Sequence, residues 1–125
     1  NWKIVYGHHT WRSVAGHGNA DDELEDFLTE LFQKSPFDIY MCGHDHNKQI
    51  IRMDIDKKDL FLIVCGTGGK VYDDHIDITS LNSQSELEFL SNNLGYGYLK
   101  AFQKKLEIIF LDENNVEELK YTIKK

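Results

Sequence analysis

All but one of the chain's six histidines lie in two short segments, "YGHHTWRSVAGHG" at residues 6–18 and "CGHDHN" at residues 42–47. Neutral imidazole is a ligand for zinc, iron, cobalt and similar ions, so His8, His44 and His46 are candidate metal ligands. On a regular strand, residues two apart share a face, but on a tight loop His44 and His46 can instead serve two metals, at the roughly 3.5–4 Å separation of two-metal hydrolases. Gly7 and Gly43 each precede a histidine and are expected to let the backbone turn so that the ring points across a sheet edge. A lone His-x-His pair is more often solvated or capping than a site; the strand-Gly-His on a neighbouring segment makes the metal reading the stronger one. His9 reads as a polar companion of His8, and His75 as a surface residue.

Those rings have to be carried by particular elements. "WKIVYG" reads as a short strand, followed by an irregular loop carrying His8, His9 and His17. Asp21, Asp22 and Glu23 suit a helix N-terminus, and Leu24, Phe27, Leu28, Leu31 and Phe32 recur at three- and four-residue steps, predicting a helix from about Asp21 to Lys34. Pro36 ends it and "FDIYMCG" is the next strand. "KQIIRMDI" and "LFLIVCG" are two more, joined by a turn at "DKKD". The segment from Val71 to Asn93 reads as a polar excursion with one short helix around Glu86 to Leu90. "GYGYLKAF", "KLEIIFL" and "VEELKYTI" close the chain as a meander. The pattern predicts an α/β (α+β) sandwich: a mixed sheet with a helix on one face and the first two strands parallel. Ligands gather beyond the carboxyl ends of such strands, which is where both histidine groups fall.

Composition narrows the classes. The 125 residues suit one domain, and 41% apolar content is enough for one core. Acidic residues outnumber basic ones 21 to 14, giving a net charge of −7, which argues against a nucleic-acid partner. Bound cations would still let such a chain meet a phosphate. Cys42 and Cys65 each end an apolar run, as buried thiols do, and leave the redox compartment undecided. No stretch approaches the roughly 18 apolar residues of a membrane span. The opening "NWKIVYG" has no Met and runs straight into strand-like sequence, so the chain is expected to be part of a larger protein.

"YGHHTWRSVAGHG" followed across one helix by "IYMCGHDHNKQ" resembles the last two metal motifs of the calcineurin-like metallophosphoesterases, and within them most resembles the purple (tartrate-resistant type) acid phosphatases. "VCGTGGKVYDD" falls where those enzymes carry a strand, a glycine-rich turn and an acidic stretch, and the last strands match their closing meander. The resemblance implies that residues 1–125 are the C-terminal half of a four-layer αββα metallophosphoesterase sandwich that hydrolyses phosphate monoesters. It implies that His8 and His44 bind one metal and His46 the other, as a pair of iron with iron, zinc or manganese. His17, in "AGHG", matches the histidine that contacts the phosphate and protonates the leaving alkoxide, a role suited to a group titrating near neutrality.

The chain departs from the family in two ways. Thr10 stands where the related phosphatases tend to have proline, and the earlier motifs Asp-x-His, Gly-Asp-x-x-Asp and Gly-Asn-His-Asp/Glu do not occur. Three histidines cannot supply the roughly four ligands that each metal of a pair needs. The chain alone is therefore expected to be inactive, to need the missing N-terminal half or a second polypeptide, and to leave an apolar sheet face uncovered. Other branches of the superfamily, acting on diesters or nucleotides, stay open. So do a non-catalytic scaffold with this fold and a structural zinc domain drawing on Cys42. Related acid phosphatases are commonly secreted or vesicular, but no signal here tests that.

Overall fold

The computed structural model describes residues 1–71 and 75–125. Its elements run β1 (Ile4–Tyr6), α1 (Asp22–Lys34), β2 (Ile39–Cys42), β3 (Lys48–Ile55), β4 (Lys58–Cys65), a 3₁₀ turn (Ile78–Ser80), β5 (Ser85–Ser91), β6 (Gly95–Ala101), β7 (Lys105–Asp112) and β8 (Glu117–Lys124). Five strands form a mixed sheet in the order β1-β2-β4-β3-β5, and β6-β7-β8 form a second, antiparallel sheet. β1 pairs with β2, and β2 with β4, in parallel. The carboxyl ends of these three strands therefore lie along one edge, and His8, His44 and Gly66 follow directly from them. β3 and β4 form a hairpin whose two turn residues, Asp56 and Lys57, have φ of 54° and 63°, as a primed two-residue turn requires.

The uninterrupted apolar run of β4 reflects burial on both sides. Leu60, Leu62 and Val64 face α1, where they join Trp11, Leu28, Phe32, Phe37 and Tyr40. Phe61 and Ile63 face the smaller sheet and pack with Ile39, Ile50, Leu106, Ile108 and Phe110. The chain thus covers both faces of its larger sheet, contrary to the uncovered face expected from the sequence. The exposed large apolar side chains include Tyr6 of β1, Phe27 of α1, and Tyr96 and Tyr98 of β6. The fold is α/β.

The helix expected near Glu86 to Leu90 is instead strand β5, paired with β3. A register shift sets Phe89 beside Ile50 and Leu87 beside Ile51. That bulge, one extra residue at Glu88, sends Leu87 to the helix side and Phe89 to the sheet side, although the two alternate with glutamates along the strand. The acidic stretch expected at Asp73 and Asp74 lies outside the described residues.

Candidate functional site

The two histidine loops are fastened side by side before any side chain is considered. The Gly7 N–H donates to the Met41 carbonyl at 3.0 Å, and the Gly43 N–H donates to the His8 carbonyl at 3.2 Å. Beneath them the Tyr40 hydroxyl donates to the His9 carbonyl at 2.9 Å. A Cβ at position 7 would lie 2.7 Å from that hydroxyl, so Gly7 is there for close approach; neither it nor Gly43 has a positive φ. The sharp turn expected at the glycines occurs at His44 itself, with φ of 63°. The Asp45 N–H donates to the Gly43 carbonyl at 2.8 Å, closing a γ-turn around His44. This turn form is rare and strained for a residue with a side chain, and persists only where its surroundings hold it.

Asp45 supplies that hold. Its side chain is wholly buried, accepting the His17 backbone N–H at 2.9 Å on Oδ1 and the Ser13 hydroxyl on Oδ2. Ser13 Oγ in turn accepts from the Ala15 N–H at 3.1 Å and from Gln49 Nε2 at 2.8 Å. Gln49 Oε1 accepts the Val14 N–H at 3.1 Å, and Gln49 Nε2 also donates to Asn47 Oδ1 at 2.8 Å. These buried polar groups form one connected network under the loops. From the sequence, Asn47 reads as a loop-stabilising residue and Asp45 as pointing away from the metals; the linkage of both to Ser13 and Gln49 had no signal beyond the polarity of those residues.

Above the network four imidazoles meet. His8 Nε2 and His44 Nδ1 are 3.1 Å apart. The His17 ring stacks on His44 with centroids 3.8 Å apart, and His9 stands 4.8 Å from His44. His46 is half-buried on the same loop, beyond Asp45. The pKa of His44 is lowered, first by burial and then by the neighbouring imidazoles of His17, His9 and His8. Its nitrogens therefore stay available as donors further into the acid range than those of a free histidine.

Among the described residues no group of three or more His, Cys, Asp or Glu side chains is arranged to hold a metal ion. The His8–His44 nitrogen separation nonetheless fits a donor pair, because two nitrogens each about 2.0–2.1 Å from one ion sit roughly 3 Å apart. Cys42 does not join them. It is buried in the helix-side core, and burial, followed by the nearby Asp45 charge, pushes its thiol up to about 12, which disfavours the thiolate a zinc site would need.

A cleft of about 510 Å³ opens beside the rings, with His9, His17 and His44 on one wall and Leu24 and Phe27 of α1 on the other. Asp21 and Glu23 also line it. Phe27, expected on the apolar stripe of the helix, is 60% exposed at this cleft, whereas Leu28 and Phe32 carry the core contact.

No family model matches the chain. Purple acid phosphatase 4 of Arabidopsis thaliana is 31% identical over 111 residues, 89% of this chain and 31% of that protein. Purple acid phosphatase 17 of the same plant is 32% identical over 111 residues, 89% of this chain and 32% of its own length. This chain is a relative of the metallophosphoesterases, by way of the purple acid phosphatases. It spans about a third of the length of the purple acid phosphatases it matches.

The solved purple acid phosphatase PPD1 from yellow lupin (Lupinus luteus) seeds superposes with a TM-score of 0.72 at 22% identity, covering 98% of this chain and 25% of that one. The structure described as GAP50, the anchor in the inner membrane complex of Plasmodium, superposes with a TM-score of 0.79 at 19% identity, over 98% of this chain and 36% of that one. Both establish likeness of fold. Among the described residues no helix is long and apolar enough to cross a membrane.

Proposed function

We propose that residues 1–125 are the C-terminal half of a metallophosphoesterase catalytic domain, and that the complete protein is a metal-dependent acid phosphatase acting on phosphate monoesters. The observation that carries this reading is the facing pair His8 Nε2 and His44 Nδ1, with His17 stacked against it at the mouth of a cleft. His8 and His44 would hold one metal and His46 the second, with the remaining donors coming from the missing N-terminal half or from a second chain. Iron with iron, zinc or manganese suits this nitrogen-rich set. A bound metal pair lowers the pKa of water and neutralises charge on phosphoryl oxygens. His17 does the rest of the proton work: its exposed imidazole, at the cleft wall, donates to the departing oxygen. Leu24 and Phe27 offer the leaving group an apolar wall.

The test is hydrolysis of para-nitrophenyl phosphate from about pH 4 to 8 by this chain alone and by the chain joined to its natural upstream sequence, each with metal content determined. Activity only in the longer protein, with about two metals per chain, supports the reading. A phosphodiester and a nucleotide in the same assay separate the diesterase and nucleotidase branches.

A second reading is a non-catalytic scaffold that keeps the fold, favoured by the likeness to the Plasmodium anchor protein. It predicts no metal and no hydrolysis from the longer protein.

A further inference from the structure

We propose that Asp45 is a positioning residue: its buried carboxylate sets His17 at its working distance from the metal-side histidines. This rests on the phosphatase reading, in which His17 protonates the leaving group. His17 sits on an exposed turn between Gly16 and Gly18, and the Gly18 N–H to Ala15 carbonyl bond of 3.0 Å closes that turn only locally. Its direct link to the loop of His44 and His46 is the 2.9 Å bond from its own backbone N–H to Asp45 Oδ1. Asp45 lies between those two histidines in sequence and is wholly buried, so one side chain ties the His17 turn to their loop, while the Gln49 bonds to Val14 and Ser13 hold the earlier part of the same segment. The stacking of the His17 and His44 rings, 3.8 Å apart, is the geometry this clamp maintains.

Position 45 needs a carboxylate rather than a carboxamide. Ser13 Oγ already accepts two hydrogen bonds, from Ala15 and Gln49, which fill its lone pairs, so its own proton must go to Asp45. The His17 N–H is likewise a donor that needs an acceptor. Both oxygens of residue 45 therefore have to accept, and an asparagine would point its NH₂ either at a filled hydroxyl or at another N–H. A buried donor facing a donor breaks one arm of the clamp whichever way the amide is turned.

The experiment uses the chain joined to its upstream sequence, as wild type, Asp45→Asn and Ser13→Ala, with two readouts. The first is hydrogen exchange at the His17 amide, which needs neither turnover nor metal. The second is kcat on para-nitrophenyl phosphate, whose leaving group departs readily, against kcat on an alkyl monoester, whose leaving group must be protonated. Asp45→Asn is expected to speed exchange at His17 and to lower alkyl-ester turnover about 100-fold more than it lowers aryl-ester turnover, the shared part of the loss being its effect on the His44 turn. Ser13→Ala removes one arm and gives a smaller shift in the same direction; it carries the comparison where Asp45→Asn fails to fold. Equal losses on the two esters, or unchanged exchange at His17, overturn the positioning role while leaving the phosphatase reading intact. If the wild type hydrolyses neither ester, the phosphatase reading falls and takes the role given to Asp45 with it.

Discussion

At the level of single residues, the histidine loop rests on a contact that permits no side chain. A Cβ at Gly66 would lie 2.1 Å from the Asp45 carbonyl oxygen and 2.9 Å from its carbonyl carbon, both backbone atoms that cannot swing aside. Gly66→Ala must therefore push the loop of His44 to His46 away from the end of β4. The expected result is a loss of about 1–3 kcal/mol in denaturant unfolding. On the proposed phosphatase reading, metal content and activity of the complete protein should fall further than Gly69→Ala, whose Cβ would meet open space, lowers them. The imidazoles were legible in the sequence because a histidine announces its chemistry by its type. Asp45 and Gly66 were not: Ser13 is 32 positions from Asp45, and a wholly buried carboxylate between two histidines reads the same as a solvated one. The turn, too, was assigned to Gly43, the residue that most readily turns, whereas the network beneath holds His44 in the strained conformation.

At the level of elements, α1 anchors the histidine loop. Its start was legible: Asp21 caps it by accepting the Leu24 N–H at 2.9 Å, and the stripe of Leu24, Leu28, Leu31 and Phe32 forms its core face. What the pattern did not show is that Glu25 reaches off the helix to the loop. Its carboxylate takes a two-pronged contact from Arg12 and a 2.9 Å bond from Trp11 Nε1. The Arg12 hydrogen bonds hold the Glu25 carboxyl below its ordinary value against the opposing effect of burial, with the Arg12 charge and Trp11 adding to them. A depressed folded-state pKa means that this stabilisation is complete above the unfolded value of about 4.3 and is lost as pH falls through the lower, folded value. Wild-type protein should therefore lose part of its stability below about pH 4, and Glu25→Gln should be less stable than wild type at pH 6 with the difference narrowing towards pH 3. Thermal unfolding of both proteins at the two pH values checks this. β5 marks the opposite limit: Glu86, Leu87, Glu88 and Phe89 alternate polar and apolar as a strand does, but over so few residues inside a polar stretch that a short helix fits them as well, and the bulge then sends Leu87 and Phe89 to opposite faces.

Across the whole molecule, the two sheets are joined by more than apolar packing. The parallel β1-β2 pairing and the closing meander were legible from element order, but the way the sheets lock together depends on a lysine that reads as the polar first residue of a strand. Lys48 of β3 has a fully buried side chain, and its ammonium lies 2.6 Å from Glu118 of β8. It also donates to the Leu111 carbonyl at 3.2 Å. Burial opposes ionisation of Glu118, but the bonds from Lys48, Asn93 and Ser91 together hold its carboxyl below the usual value, which favours the carboxylate. Such a pair adds little net stability over an apolar one of the same volume, because desolvation offsets the attraction, but removing one partner strands the other charge. Glu118→Leu should therefore destabilise by about 3–5 kcal/mol, more than Lys48→Met, which leaves the less buried member with Asn93 and Ser91. The double variant Lys48→Met/Glu118→Leu should be less destabilised than the sum of the two single losses by roughly 0.5–3 kcal/mol, the coupling between the sheets in a double-mutant cycle. Additive losses in denaturant unfolding would mean that Lys48 is satisfied by its carbonyl partners alone and that apolar contact sets the register of the sandwich.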